Sequence, residues 1–489
     1  MTGPAAPPPV TARQRKVFAI LMLTQLIATL DNQIVATALP TIVGDLGQAE
    51  HFSWLVSAYV LAQCAVMPVS GKLGDLIGRK RVMIASLCLF SIGAVGCSAS
   101  WSMSSLILAR LVQGLGTGGI LVTVFGMNAD LFPPAQRARY QSYLSFVFVF
   151  GSFVGPTFGG ALTDLVGWRV IFLPTLPLAL LAIAGFAVLV PRIVTGRQPV
   201  IDYAGALAIA MTVTILVIWT DSLRLFGSFL APESLFLGIA AGLGLLLSAI
   251  IERGAAEPVL PPELLAKWNF DFLSVATFCS GAVTIGLVTY HAYFLQMAHG
   301  LTPAQSGLFF IALTCGVSCG ALLAGQLMSR DWHFTFPLRL SLIWGVLTLG
   351  VFSLLPGGTP IWQLVAVFVA QGFANGLAMN ALVFGAQVTA GEGDIGAATG
   401  AITLMRTIGC SIGIAVYGSV IAVGLSGVAL PEGWDASAIT PALLRGLPAA
   451  ERADLVGHYS EIFAALYRVA AFLALLGFAA ACLIRRPAR

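Results

Sequence analysis

Long apolar stretches alternate with short polar segments along almost the whole chain. A helix rises about 1.5 Å per residue, so about 20 residues cross the roughly 30 Å hydrocarbon core of a bilayer. The pattern therefore predicts an all-α polytopic membrane protein with fourteen transmembrane helices. We place these helices at residues 17–43, 52–71, 81–101, 104–126, 140–163, 169–191, 203–220, 233–251, 272–295, 304–328, 336–355, 361–386, 396–424 and 462–484.

The composition agrees with this class. Hydrophobic residues make up 58% of the 489 residues and charged residues only 9%, whereas about 25% of a soluble domain is charged. The first apolar stretch is too long for the core of a signal peptide and ends without a small-residue cleavage site, so we expect it to remain as the first helix. The eight cysteines form no CxxC pair and lie almost wholly in apolar stretches, which predicts neither disulfides nor a metal site.

The positions of the basic residues predict the topology. Of the 25 Lys and Arg residues, 18 fall on the side of the N-terminus if the chain crosses the membrane fourteen times. Because basic loops stay in the cytoplasm, we expect both termini there, in a multi-pass protein of the cell (inner) membrane. The net charge of +4 then reflects topology and indicates no nucleic-acid partner.

A repeat links the two ends of the chain. Gln113 recurs 258 residues later as Gln371, and Gly151 recurs at the same offset as Gly409. Shared helical composition could produce such an offset by chance, but duplication of a six-helix unit is common in secondary transporters. The duplication predicts two six-helix bundles with two extra helices between them. The segments are a tail 1–16, a bundle 17–191, extra helices and linkers 192–271, a bundle 272–484 with an extracellular loop 425–461, and a tail 485–489.

Two opposite charges lie inside the first bundle, Asp31 in the first apolar stretch and Arg110 in the fourth. A carboxylate at the centre of a membrane helix costs roughly 2.5–3.5 kcal/mol, so it needs a partner or a functional reason to be there. We predict that Asp31 pairs with Arg110 and that the pair handles a proton. The alternative is that Asp31 merely hydrogen-bonds a neighbouring helix. The glycines at 114, 116 and 119 spell GxGxxG, but no strand precedes them, so we interpret them as helix-packing residues.

The segment between the second and third apolar stretches combines glycines with charges and resembles the loop 2–3 signature of the major facilitator superfamily. The residues that carry the resemblance, and with it an expected role in a cytoplasmic gate, are Gly71, Asp75, Gly78, Arg79 and Arg81. Leu76 stands where the signature has a basic residue. The glycines allow a tight turn, and the cations could latch Asp75 to another helix end. A purely topogenic role of the basic residues is the alternative.

Further motifs extend the resemblance. The fourth stretch resembles the R-x-x-Q-G signature of the same superfamily, whose Arg is associated with proton coupling. The fifth resembles the antiporter signature of drug:proton exporters, carried by Gly151, Gly155, Pro156, Gly159 and Gly160. With fourteen predicted helices, this resemblance implies a major facilitator fold and the fourteen-span drug:proton antiporter branch. Ala36 replaces a polar residue usual in that branch.

The second half offers few charges within its apolar stretches. His291 falls opposite Gln33 in the repeat, which makes it a candidate second proton site, although a buried polar packing group is the other interpretation. Polar or charged side chains in several stretches are candidates to line a substrate cavity. These are Gln33, Gln113, Tyr290, Tyr293, Gln296 and Arg406.

No GxxxxGK[ST] loop occurs, so an ion gradient must supply the energy. We expect a proton-coupled secondary transporter, not an enzyme, that exports hydrophobic or cationic drugs or toxic compounds by alternating access. We expect it to be a monomer in the lipid bilayer that needs no cofactor. Two alternatives remain: an exporter of an endogenous lipid, siderophore or secondary metabolite, and a non-transporting receptor on the same fold.

Overall fold

The computed structural model describes residues 10–46, 52–191, 202–220, 222, 226–228, 230–255, 258–259, 261–284, 286–301, 303–330, 333–356, 358–391, 393–426 and 449–485. In these ranges the chain is built from helices. Those of at least twelve residues are α1 Ala12–Leu46, α2 Phe52–Leu73, α3 Arg79–Ser98, α4 Met103–Leu131, α5 Pro134–Leu165, α6 Thr175–Leu189, α7 Tyr203–Thr220, α8 Pro232–Gly254, α9a Trp268–Thr284, α9b Gly286–Met297, α10 Pro303–Ser329, α11 Thr335–Leu354, α12 Ile361–Ala390, α13 Ile395–Ser426 and α14 Ala449–Leu483.

A described helix lies at each predicted transmembrane stretch, with the ninth represented by α9a and α9b. Within the described residues, eleven helical stretches are long and apolar enough to cross a membrane. The all-helical membrane class is therefore confirmed, while the number of fourteen crossings stays a prediction.

Two helices extend beyond their predicted bounds. α1 begins at Ala12, within the predicted tail, and α14 begins at Ala449, within the predicted loop 425–461. Hydropathy detects only the part of a helix that lies in hydrocarbon, so polar first turns are missed. The rest of that loop, from 427 to 448, lies outside the described residues.

The two halves of the chain pack in the same way. In the first half, α1 packs on α5, α4 lies between α2 and α3, and α3 contacts α6. In the second half, α9a packs on α13, α12 lies between α10 and α11, and α11 contacts α14. At the offset of 258 residues the pairs of α1 to α5 correspond to those of α9a to α13, and α6 and α14 are each the sixth helix of their half, as duplication of a six-helix unit predicts.

Glycines set the closest helix pair of the second half, α10 with α12. Added Cβ atoms at Gly316, Gly320, Gly372 and Gly376 would each collide with a backbone carbonyl oxygen of the facing helix. Small residues at i, i+4 spacing let two backbones approach this closely within a membrane.

Gly372→Ala is therefore expected to destabilise the second half by about 1–3 kcal/mol, because backbone atoms on both sides leave the methyl group no space. Thermal unfolding in detergent micelles measures the effect. Gly345→Ala on α11 is the matched control, since no atom lies near its added Cβ. Equal melting temperatures for the two variants would contradict the proposed packing role.

The two extra helices cover one seam between the halves. α7 packs on α8, on α2 of the first half and on α13 of the second half. Its apolar face includes Ile209, Val213 and Val217, which are buried with Leu61 and Leu404. α7, with α8 packed on it, thus covers the α2–α13 seam on one side.

Candidate functional site

A buried ion pair lies inside the first half. Arg110 Nη1 of α4 donates to Asp31 Oδ2 of α1 at 3.1 Å, and Gln113 Nε2 donates to Asp31 Oδ1 at 2.7 Å. Arg110 Nη1 also donates to Gln113 Oε1 at 2.9 Å. Asp31 and Arg110 are each 2% exposed, so the predicted pairing is confirmed and both carboxylate oxygens are occupied.

Side chains from α2 and α3 complete the surroundings of this pair. The Arg110 guanidinium carbon lies 3.9 Å from the centroid of the Tyr59 ring, a cation–π contact. The Tyr59 hydroxyl donates to Thr117 at 2.9 Å, and the Cys97 thiol lies 3.5 Å from Gln113 Oε1. Arg110 Nε is buried without a hydrogen-bond partner among the described residues. The cluster therefore holds one unused donor beside the ion pair.

The sequence of α4 explains how these side chains come together. Arg110 and Gln113 are three residues apart and so share one helix face. The glycines among them let α2 and α3 approach: a Cβ at Gly114 would meet the carbonyl of Tyr59, and one at Gly116 would meet the backbone of Phe90. The interpretation of GxGxxG as a packing motif is confirmed.

The antiporter-signature face of α5 packs on α1 beside Asp31. A Cβ at Gly151 would lie 3.0 Å from the Thr29 side chain, and one at Gly155 would lie 2.5 Å from Gln33 Cβ. Thr29 and Gln33 flank Asp31 by two residues on either side. Gly151 and Gly155 thus fix the position of the α1 segment that carries the carboxylate.

The remaining signature residues contribute less to this contact. Nothing lies within 4 Å of a Cβ added at Gly160. The carbonyl of Gly159 accepts a hydrogen bond from Thr163 within α5. The side chain of Pro156 lies outside the described residues.

A second cluster closes one end of the interface between the halves, which we call the inner end. Asp75 Oδ2 accepts the backbone N–H groups of Gly396 at 2.9 Å and Ala397 at 3.2 Å, at the start of α13. Arg79 donates to the same carboxylate at 2.6 Å and also pairs with Asp130. Asp75 is held at another helix end, as predicted, but backbone N–H groups of α13 make the contact and not the cations. This contact joins the first half to the second.

Glycines allow this close approach. Gly71 of α2 lies against Gly396 of α13, where an added Cβ would be 2.7 Å from the carbonyl carbon of Gly396. Instead of the simple turn expected from its glycines, Gly74–Gly78 forms a π-helical turn that continues α2. Only Gly78 leaves the helical conformation, with φ +94°, a value that favours glycine.

Arg81 is placed apart from the latch. It is exposed and lines a cavity of about 280 Å³ with residues of the first half, including Arg13 and Lys80. Its described surroundings contain no residue of the second half, so the structure brings only Gly71, Asp75 and Arg79 of the five predicted gate residues to the interface.

Sequence analysis missed a network of uncharged polar side chains at the inner end. Asn380 of α12 accepts a hydrogen bond from Ser145 at 2.7 Å and donates to Ser142 at 3.1 Å, and both serines lie on α5. Ser142 also donates to the carbonyl of Ala321 on α10 at 2.9 Å. The network seals α5 against the second half, and Asn380 within a strongly apolar stretch was its sequence signal.

His291 lies in an aromatic core of the second half, and its described neighbours all belong to that half. Its Nδ1 is 3.0 Å from the Tyr467 hydroxyl, and its ring packs 5.1 Å from the centroids of Phe352 and Phe368. It is 2% exposed. Asp31 is not among its described contacts, and this environment supports the interpretation as a polar packing group.

The proposed cavity residues are dispersed. Gln113 belongs to the buried ion-pair cluster, and Gln33 packs on Gly155. The Tyr290 hydroxyl donates to the carbonyl of Ile414 at 2.8 Å. Residues that pack within the second half or remain partly buried there are Tyr293, Gln296 and Arg406.

The far end of α1 is anchored outside the predicted span. Asp45 Oδ2 accepts the Trp168 indole N–H at 2.9 Å and Arg169 Nη1 at 2.8 Å. These two hydrogen bonds hold the pKa of the Asp45 carboxyl below its usual range. Asp45 therefore stays ionised at neutral and mildly acidic pH, and the anchor weakens only as the pH falls through that lowered pKa.

Two halves of six helices with equivalent packing, a buried ion pair and a latched inner end define a polytopic transporter fold. The crystal structure of the human organic anion transporter MFSD10 (TETRAN) shares this fold, with a TM-score of 0.64 over 94% of this chain and 99% of that chain at 15% identity. Residues 21–414 match the Major Facilitator Superfamily model, and the chain belongs to this family.

Relatives include transporters described as exporters. The chain is 33% identical to an uncharacterized MFS-type transporter of Mycobacterium tuberculosis, over 99% of this chain and 71% of that protein. It is 30% identical to the multidrug transporter protein MdtP of Bacillus subtilis, over 82% and 74% of the two chains. It is 29% identical to the MFS-type efflux pump LUC4 of a Fusarium species, over 84% and 74%.

Proposed function

We propose that the protein is a proton-coupled exporter of hydrophobic small molecules across the cytoplasmic membrane, with both termini in the cytoplasm. The buried Asp31–Arg110–Gln113 cluster carries this proposal, because it places a proton acceptor and a competing cation inside the first half. Several relatives are named as a multidrug transporter or an efflux pump, which supports export as the direction of transport.

Competition for one carboxylate supplies the coupling. A proton that binds Asp31 removes the charge that holds Arg110, so the ion pair cannot survive protonation unchanged. A proton can shift a conformational equilibrium only if it binds the two states with different affinity. Loss of the ion pair in one state supplies that difference.

The packing of α1 gives this event a route to the second half. Gly151 and Gly155 of α5 contact the α1 residues that flank Asp31. About two to four turns nearer the start of α5, Ser142 and Ser145 bind Ala321 and Asn380 of the second half. We infer that a shift of α1 on protonation is passed by α5 to the inner gate.

We infer that the inner end faces the cytoplasm. The positively charged segment 71–81 lies there, and such segments stay in the cytoplasm. Because the halves are latched at this end through Asp75 and Gly396, the conformation is closed to the cytoplasm.

Purified protein in liposomes with an imposed pH gradient tests the function. The probes are ethidium, a lipophilic cation, and 1-pyrenesulfonate, a lipophilic anion with a permanent charge. We expect the wild type to transport at least one of them in the direction opposite to the proton flow. Asp31→Asn is expected to reduce this transport to the level of empty liposomes, because Asn cannot exchange a proton.

Asp45→Asn is the matched control, since it changes the same residue type at the exposed outer end of α1. It is expected to keep gradient-driven transport. Transport by Asp31→Asn that still follows the pH gradient would refute Asp31 as the proton site.

A further inference from the structure

Arg406 is a cation in the middle of α13. It lies eleven residues after Ile395, the first residue of the helix, which is about 16 Å along the helix axis at 1.5 Å per residue. This distance is near the midpoint of a hydrocarbon core of roughly 30 Å, too deep for the side chain to reach either interface easily.

The Arg406 guanidinium has no counterion among the described residues. No hydrogen bond or ion pair of its side chain occurs in the described part of the chain, where the electrostatic neighbour is Cys410. The carboxylates of the ion-pair cluster and of the inner end are engaged elsewhere: Asp31 with Arg110, Asp75 with the start of α13 and Asp394 with Lys72. An unpaired Arg at the centre of a membrane helix costs roughly 2.5–3.5 kcal/mol.

The side chain is not needed to fix the position of α13. The backbone of Arg406 packs directly on Gly281 of α9a, where an added Cβ would be 2.9 Å from the Arg406 carbonyl carbon. Gly409 packs in the same way on Phe278. Backbone contacts alone therefore place the helix, and the cost of the cation calls for another explanation.

Arg406 lies on α13 beside the packed seam between the halves. The seam of α2 with α13 runs from the Asp75–Gly396 contact at the inner end, past Gly400 against Met67, to Leu61 and Ile408. Positions 406, 410 and 414 share one face of α13. Along this face Arg406 and Cys410 are partly buried, and Ile414 is 40% exposed. Exposure therefore rises from Arg406 toward the outer end.

Apolar and aromatic groups continue this face outward. The Tyr290 hydroxyl binds the carbonyl of Ile414, and its ring packs 5.6 Å from the Tyr417 centroid. An elongated ligand that placed a negative group at Arg406 would lay its apolar part along Tyr290 and Ile414. A cation at the same place would be repelled by Arg406, because no described carboxylate pairs with this side chain.

We propose that Arg406 binds the acidic group of the transported compound, so that the preferred substrate is an amphiphilic organic anion. This inference rests on the proposed export function and names its substrate class. The acidic group neutralises Arg406 on binding, which makes the ligand the missing counterion.

Equilibrium dialysis with the full-length protein in nanodiscs tests the proposal without a pH gradient. Three probes share one apolar body and differ in charge: 1-pyrenesulfonate, 1-pyrenemethanol and 1-pyrenemethylammonium. We expect the wild type to bind the sulfonate at least about tenfold more tightly than the alcohol, since a hydrogen bond to a charged group contributes about 1.5–3 kcal/mol. Binding to empty nanodiscs is subtracted.

Variants assign the effect to one residue. Arg406→Gln is expected to abolish the preference for the sulfonate while leaving the affinity for the alcohol unchanged, and Arg406→Lys to retain part of the preference. Arg468→Gln is the matched control, because Arg468 is exposed on α14 and its described hydrogen bond goes to its own helix at Ala464.

The outcomes separate a binding role of Arg406 from a structural one. A wild type that does not discriminate among the probes refutes the substrate class, and this comparison needs no variant to fold. Equal weakening of all three probes by Arg406→Gln would show a structural role instead. Because Asp31→Asn lacks only the proton site, it should keep the sulfonate preference, so failure of proton coupling and failure of this proposal are distinguishable.

Discussion

Arg110→Met is expected to lower the free energy of unfolding by about 3–5 kcal/mol, because it leaves Asp31 as an unpaired buried charge. Asp31 is 2% exposed, and after the substitution Gln113 is its remaining described hydrogen-bond partner on α4. The unpaired carboxylate must then bind a proton or draw water between α1 and α4. Thermal unfolding of the purified protein, followed by intrinsic tryptophan fluorescence, measures the loss.

The double variant Asp31→Asn with Arg110→Met separates the charge from the packing. It removes both charges and is expected to recover most of the lost stability, since a neutral pair of similar volume leaves no buried charge. It should nevertheless lack proton-driven transport. If the double variant is as unstable as Arg110→Met alone, the loss comes from packing of Arg110 on Tyr59, and the ion-pair explanation is wrong.

The class of fold follows from the sequence because a bilayer imposes few choices. Backbone groups in hydrocarbon must be satisfied within the segment, so a long apolar stretch becomes a helix. The equivalent packing of the two halves follows the repeat that relates Gln113 to Gln371. The polar first turns of the helices are not predicted, because water can satisfy the backbone there and hydropathy gives no signal. The start of α14 at Ala449, within the predicted loop, is an example.

The candidate site was predictable where it depends on charge. Asp31 and Arg110 stand out because ionised groups are rare in apolar stretches, and each needs the other. Asn380 does not stand out in the same way, since an uncharged amide is tolerated in a helix and its partner Ser145 is 235 residues away. Long-range pairing of neutral polar groups leaves no periodic signal in a single sequence.

The position of His291 illustrates a different limit. The repeat aligned it with Gln33, close to Asp31 in sequence, but alignment of two halves gives equivalent positions in different bundles. In the structure its described neighbours are Tyr467, Phe352 and Phe368. Sequence equivalence therefore indicates similar depth and does not indicate contact.

Gly71→Ala is expected to prevent closure of the inner gate and to reduce transport at least tenfold, because the closed state has no space for a methyl group. An added Cβ would lie 2.7 Å from the Gly396 carbonyl carbon and 3.3 Å from the Ala397 nitrogen, both backbone atoms. Forcing such atoms apart costs typically about 1–3 kcal/mol, which shifts a two-state equilibrium by about fivefold to 150-fold. The strain acts only when the gate is closed, so the open state gains population.

The native Cys64 can be used to measure how far the inner gate is shifted from its closed to its open state, so no cysteine has to be introduced for labelling. It is fully buried in the seam that the inner gate closes, whereas Cys88, Cys315 and Cys482 are exposed. Labelling with N-ethylmaleimide, read peptide by peptide by mass spectrometry, should be faster at Cys64 in Gly71→Ala than in the wild type and unchanged at the exposed cysteines. Gly160→Ala is the control, because no atom lies within 4 Å of a Cβ added at Gly160. Normal transport together with a protected Cys64 in Gly71→Ala would show that the Gly71–Gly396 contact is not part of the gate.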